Sequence, residues 1–172
     1  TFNVGAKLAT SKTKNKLLIY NSILPSGVQH NQFDYTENNQ AVYVSGTKTW
    51  LDALTLQAGL RVEATQTKGY ASALDQTNRN NYVKFFPTLY IQYQLNEDQT
   101  LGFNYARRIN RPNFESLNPT RSTYNAYSYH EGNPFLKPAY TSNLELIYTY
   151  KKLESKVYYS QMKDGISQVS QI

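Results

Sequence analysis

Cysteine is absent from the 172 residues, which excludes a disulfide scaffold and any thiolate metal site. Histidine is almost as scarce. His30 and His130 both fall in stretches that read as loops. A metal site needs three or four converging ligands, and no spaced set of Asp, Glu or His accompanies them. The eight glycines are scattered and form no phosphate-cradling run. No G-x-S-x-G occurs and no serine is tied by sequence to a histidine, so nucleophilic catalysis is not expected. The expectation is a protein without cofactor, metal or enzymatic activity.

Long hydrophobic runs are missing too. No stretch approaches the ~20 apolar residues of a membrane-spanning helix. A mean hydropathy of −0.63 does not exclude a membrane, because barrel strands show apolar side chains only at alternate positions. The formal charge of +6 is spread out, with scattered lysines in 11–16 and one small cluster at Arg107, Arg108 and Arg111. Nucleic acid is therefore not expected as a partner. No signal peptide is present either: Thr1-Phe2-Asn3-Val4 already reads as a strand, which suggests that the natural N-terminus lies upstream.

What the chain does have is aromatic and alternating. Sixteen Tyr and seven Phe favour strands, and Tyr suits a membrane–water boundary, where its ring is buried and its hydroxyl stays wet. From Leu54 to Thr65, Leu54, Leu56, Ala58, Leu60, Val62 and Ala64 share one face, opposite Thr55, Gln57, Gly59, Arg61, Glu63 and Thr65. Six alternations fit a strand, and no helix has that period. Phe85, Pro87, Leu89, Ile91, Tyr93 and Leu95 repeat the pattern, as do Leu101, Phe103 and Tyr105, then Leu144, Leu146, Tyr148 and Tyr150.

Three further strands have weaker phase. Phe2, Val4, Ala6 and Leu8 mark the first. Near 40–49, Tyr43 competes with Val42 and Val44 for the apolar face, and between about 155 and 170 Tyr158 competes with Tyr159. The total is about seven. Long polar connections read at 11–32, 66–81 and 112–138 alternate with short ones near 50–53, 95–98 and 151–154. That asymmetry belongs to outer-membrane barrels, with tight periplasmic turns and long outward loops. The fold class expected is all-β: an antiparallel meander of about seven strands, a partial segment of a large transmembrane β-barrel spanning 1–172. Single-chain bacterial barrels have even strand numbers from about eight upward, so seven reads as a piece of a larger wall. Leu56, Leu60, Leu89, Ile91, Phe103 and Leu146 are then expected to face lipid. Arg107 falls on that same side, near the outer boundary, where its stem can reach headgroups.

An ordered set of segments carries a family resemblance. It runs from Phe33-Asp34-Tyr35-Thr36-Glu37-Asn38-Asn39-Gln40-Ala41-Val42-Tyr43 through Gly59-Leu60-Arg61-Val62-Glu63 and Phe86-Pro87. It continues with Tyr105-Ala106-Arg107-Arg108-Ile109-Asn110-Arg111-Pro112, Leu117-Asn118-Pro119 and Gly132-Asn133-Pro134. From about 30 to 170 the chain resembles the β-barrel portion of TonB-dependent outer-membrane receptors of the Bacteroidetes type. The resemblance implies active uptake of an iron chelate, vitamin, glycan or peptide, with a plug domain inside the barrel and an inner-membrane energy-coupling protein as partners. Neither plug nor coupling box is among these residues. A small β-barrel or β-sandwich with adhesive or ligand-binding loops is the alternative.

Candidate contacts for ligand or plug follow from position. Arg61 and Glu63, two apart, point to one side of their strand and either line a substrate path or hold register as a charge ladder, the latter favoured. Arg108 is expected to face inward and Arg111 to sit at the mouth, gripping anions or paired with loop carboxylates such as Glu115 and Glu131. Tyr124, Tyr127 and Tyr129 form either a stacking surface or the packing of their own loop. The two Asn-Pro turns suggest that 112–138 is folded.

Overall fold

The computed structural model describes residues 1–20, 28–72, 74–125 and 128–169. Seven strands form one antiparallel sheet in the order β1-β2-β3-β4-β5-β8-β9. The strands are β1 (Phe2–Tyr20), β2 (Val28–Trp50), β3 (Leu54–Ala71), β4 (Gln76–Asn96), β5 (Gln99–Asn110), β8 (Ala139–Tyr150) and β9 (Leu153–Lys163). A helical turn, α1 (Phe114–Leu117), and a small hairpin of β6 (Ser122–Asn125) with β7 (Ser128–His130) lie in the connection from β5 to β8. Apart from that excursion each strand pairs with its neighbour in sequence, which makes the sheet a meander. No strand pairs β1 with β9 among the described residues, so the wall is open.

The register sorts the side chains into two faces. Leu56, Ile91, Phe103, Leu146 and Val157 lie in one row across five strands. Val44 pairs with Leu60 and Ala58 with Leu89, which extends the same face. All six residues expected on the apolar side therefore share it. Leu60 and Leu146 are exposed there, the other four half-buried by neighbours in the sheet. No second sheet stacks on this face among the described residues, so the arrangement is not a sandwich. Trp50, Leu54, Tyr93, Leu101 and Tyr148 form a row close to the short turns, which with Tyr150 beyond it gives the apolar band an aromatic border.

The register also settles both open phases. Val42 and Val44 belong to the apolar face, opposite Val62 and Leu60, while Tyr43 lies on the other, across from Gly5. A Cβ at Gly5 would collide with the Tyr43 ring, so the glycine makes room for that aromatic. Tyr159 pairs with Leu144 on the apolar face; Tyr158 lies opposite and donates its hydroxyl proton to Asn143 Oδ1 at 3.0 Å.

Two of the three expected long loops are strand instead. Residues 11–20 continue β1, 28–32 belong to β2, 66–71 continue β3 and 76–81 open β4. Residues 21–27, the rest of the first of these loops, lie outside the described residues. These extensions carry Lys, Asn, Thr and Gln on both faces, so a period-two search cannot find them, yet pairing runs through them without a shift. Among the described residues only 112–138 is a long connection. The paired strand ends Tyr20 and Val28, Ala71 and Gln76, and Asn110 and Ala139 still lie at one end of the sheet, with the short turns at the other. The last strand stops at Lys163 rather than near 170.

Packing occurs on the polar-side face alone. Phe33, Ala71 and Leu117 form a buried cluster, with Tyr35, Phe114 and Leu136 against it. The β2–β3 turn is tight: Ala53 N–H donates to the Trp50 carbonyl at 3.1 Å, with Leu51 and Asp52 at φ of 49° and 50°. Both central residues are left-handed, which suits Asn-Gly better than Leu-Asp. Replacing Leu51-Asp52 by Asn-Gly is expected to stabilise the chain by about 1–2 kcal/mol. Urea unfolding in detergent micelles checks this, and an unchanged or lower midpoint contradicts it.

Candidate functional site

Residues two apart on β2 and β3 project to the same side, and the register sets Asn39 opposite Thr65 and Ala41 opposite Glu63. A polar cluster results. Glu63 is 7% exposed and accepts from three donors: Arg61 Nε at 2.7 Å, Arg111 Nη2 at 2.5 Å and Asn39 Nδ2 at 3.2 Å. Arg111 Nη2 and Asn39 Nδ2 also donate to Thr65 Oγ1, at 3.2 and 3.1 Å. Arg111 Nε lies 3.2 Å from Glu37 Oε1, close enough for charge attraction but not aligned as a hydrogen bond. The Tyr35 hydroxyl donates to Glu37 Oε2 at 3.2 Å. Burial, and then the Glu37 carboxylate, pushes the Tyr35 phenol far above its usual range, so it stays a donor. The Arg61 guanidinium lies 5.0 Å from the centre of the Phe86 ring.

The structure thus joins three of the residues singled out by sequence: Arg61, Glu63 and Arg111. Arg111 pairs with carboxylates of the wall, Glu37 and Glu63, and not with Glu115 or Glu131. Glu131 is held by Arg121 at 3.0 Å. The reason is the path of the chain, which turns inward at Pro112 and lays Arg111 across β2 and β3. Arg108 stands apart, exposed beside Thr141 and near Glu145 and Tyr158 in a shallow depression. Tyr129 is exposed and carries the Arg121 guanidinium 3.9 Å over its ring, a loop contact. The Tyr124 side chain and all of Tyr127 lie outside the described residues.

The segment after Arg111 folds into a strap across the polar-side face. Asn113 Oδ1 accepts from Ser116 N–H at 2.7 Å and starts α1. Gly132 N–H donates to the Asn118 carbonyl at 2.8 Å, and Asn133 N–H to the Ser116 carbonyl at 2.7 Å. The two Asn-Pro turns are therefore locked to one another. A Cβ at Gly132 would come within 2.5–2.7 Å of the carbonyl oxygens of Glu115, Ser116 and Asn118, so only glycine fits. Phe114 packs on Phe33 with ring centres 5.3 Å apart, and Asn78 Nδ2 donates to the Pro134 carbonyl at 2.6 Å. Sequence reading missed Glu37, Asn39, Thr65 and Asn78 as site residues. Thr65 was legible as part of the polar face of β3, while the alternation that places Glu37, Asn39 and Asn78 on β2 and β4 is hidden by a second polar face.

Between strap, cluster and β4 lies a cavity of about 350 Å³, lined by Tyr35, Asn80, Tyr82, Lys84, Lys137 and Tyr140 among others. Its size is that of a small-ligand site. Among the described residues no three His, Asp or Glu side chains gather as a metal site would require.

An open antiparallel meander, apolar and uncovered on one face, polar and strapped on the other, is the architecture of a membrane β-barrel wall. A model of the outer membrane protein beta-barrel family matches residues 1–172, and the chain belongs to that family. It is a protein of the bacterial outer membrane. No curated protein matches the sequence.

Two substitutions test the cluster and the lock. Glu63→Ala leaves Arg111 without its closest carboxylate. It is expected to cost about 2–3 kcal/mol in detergent unfolding, less than a fully dry pair because the Arg111 side chain is 26% exposed. Gly132→Ala should free the strap and open 112–138 to limited proteolysis. Wild-type stability and cleavage pattern in both variants would contradict the assignment.

Proposed function

We propose that the chain is part of the barrel of a TonB-dependent receptor that imports a scarce nutrient: an iron chelate, a vitamin, a glycan or a peptide. On this reading the face carrying Leu56, Leu60, Leu89, Ile91, Phe103 and Leu146 contacts outer-membrane lipid. The face carrying Arg61, Glu63 and Arg111 contacts the lumen. The remaining strands and a plug domain complete the protein, and an inner-membrane energy-coupling protein drives it. The chain itself catalyses nothing and holds no cofactor.

The observation that carries this reading is the strap. A barrel of about eight strands fills its interior with side chains, whereas barrels of about 22 strands hold a plugged lumen. The 112–138 segment, with its own helical turn and a cavity beneath it, needs a lumen of the larger kind. Arg111 at the cluster and the Asn118–Gly132 lock both come from segments that carry the resemblance, Arg111-Pro112, Asn118-Pro119 and Gly132-Asn133-Pro134. Arg61 and Glu63 fit a role in fixing that strap to the wall.

Uptake measurements test the proposal. Cells lacking the gene are expected to lose accumulation of one radiolabelled solute from a panel of iron chelates, cobalamin, oligosaccharides and peptides. Removing the energy-coupling protein should abolish the same accumulation. Uptake that survives loss of the coupling protein would overturn the reading.

A further inference from the structure

β4 pairs with β3 without a break from Gln76 to Tyr93, but with β5 only from Thr88 to Asn96. Its upper half therefore has a free side. Gln94 N–H donates to the Ala53 carbonyl at 2.7 Å, which points the backbone groups of even-numbered β4 residues at β3 and of odd-numbered ones away from it. Pro87 is odd and has no N–H, and pairing with β5 ends at the residue beside it. Above it the N–H and C=O groups of Thr77, Arg79, Asn81, Val83 and Phe85 face no strand among the described residues. This edge differs from those of β1 and β9. It lies inside the sheet, where closing the barrel does not cover it.

We propose that this edge binds an extended peptide as an added strand, running beside Thr77–Phe85 along the cavity. Three observations favour a peptide. The edge is regular for its whole length, with no bulge and no proline above Pro87, so two of the usual devices that block strand addition are missing from it. The cavity touches both faces of β4 there, through Asn80 and Tyr82 on one and Asn81 on the other, as a space alongside a strand must. The chain's own neighbouring segment cannot fill the role. Pro134 lies close enough to accept from Asn78, but Pro134 and Pro138 lack N–H groups, and no backbone bond joins 132–138 to β4 among the described residues. Lys84, Lys137 and Arg111 are offset by Glu37, Asp164 and the Glu63 that Arg111 grips, which suits a peptide of low net charge. Ladder bonds to the main chain supply affinity with little sequence demand. As imported cargo the peptide rests on the uptake proposal; as a ligand it does not.

Hydrogen–deuterium exchange on the full-length receptor in detergent, with and without a tryptic digest of casein, tests this. The amides of Thr77, Arg79, Asn81, Val83 and Phe85 are expected to slow about tenfold with the digest, the scale of one good backbone bond. Even-numbered amides, already bonded to β3, should not change. Asn81→Pro removes one edge donor and should cut peptide retention about tenfold, while Asn81→Ala, which keeps the N–H, should hold it within about threefold. Circular dichroism melts confirm that both variants fold. Odd amides that stay unprotected, protection that appears without digest as receptor concentration rises (a second copy on the edge), or equal loss in both variants would each overturn the proposal. Peptide binding without energised uptake would sink the uptake reading alone. Energised uptake of a non-peptide solute, with this edge unprotected, would sink this inference alone.

Discussion

Hydrocarbon offers a backbone amide nothing to bond with, so a strand that crosses a bilayer must have every polar group satisfied by the strand beside it. The unbroken registers of β1 with β2, β2 with β3 and β3 with β4 meet that demand through the apolar band and continue well past it. Because side chains alternate strictly, one register choice fixes both faces for all seven strands. A slip of one residue would carry Glu63 and Arg61 into the apolar row and Leu60 and Val62 into the polar cluster. The polar cluster and the apolar row are two consequences of one constraint.

The polar-side face uses the same geometry differently. Glu37, Asn39, Glu63 and Thr65 come from two paired strands, and Arg111 is brought to them by the chain's inward turn after β5. The strap is locked to itself between Asn118 and Gly132 and held to the wall at three places: at the cluster, at the contact of Phe114 with Phe33, and at the bond from Asn78 to Pro134. None of the three is large alone. Together they cover Phe33, Ala71 and Leu117 and leave the cavity beside β4.

Where one face is apolar, the sequence was readable: Leu54–Thr65, 85–95, the strand after 99 and 139–150 are strands with the expected phase. Where both faces are wet, alternation vanishes, and 11–20 and 66–71 carry no strand signal although they pair as regularly as the rest. The phase of β2 was open because Tyr43 finds its space across the sheet at Gly5, a fact no single strand contains. Arg61 and Glu63 could be placed together from their spacing. The partners of Arg111 could not, because both carboxylates lie far upstream and meet it only once the sheet has formed. The folded state of 112–138, in contrast, was signalled by its two Asn-Pro turns.

The absence of cysteine makes the central claim directly measurable. Single cysteines at successive positions from Leu54 to Thr65 of the full-length protein, spin-labelled in lipid bilayers, report lipid and water contact by their accessibility to oxygen and to a polar nickel reagent. The account predicts alternation with period two, with oxygen favoured at Leu54, Leu56, Ala58, Leu60, Val62 and Ala64. Uniform accessibility along the strand, or oxygen favoured at Arg61 and Glu63, would contradict it.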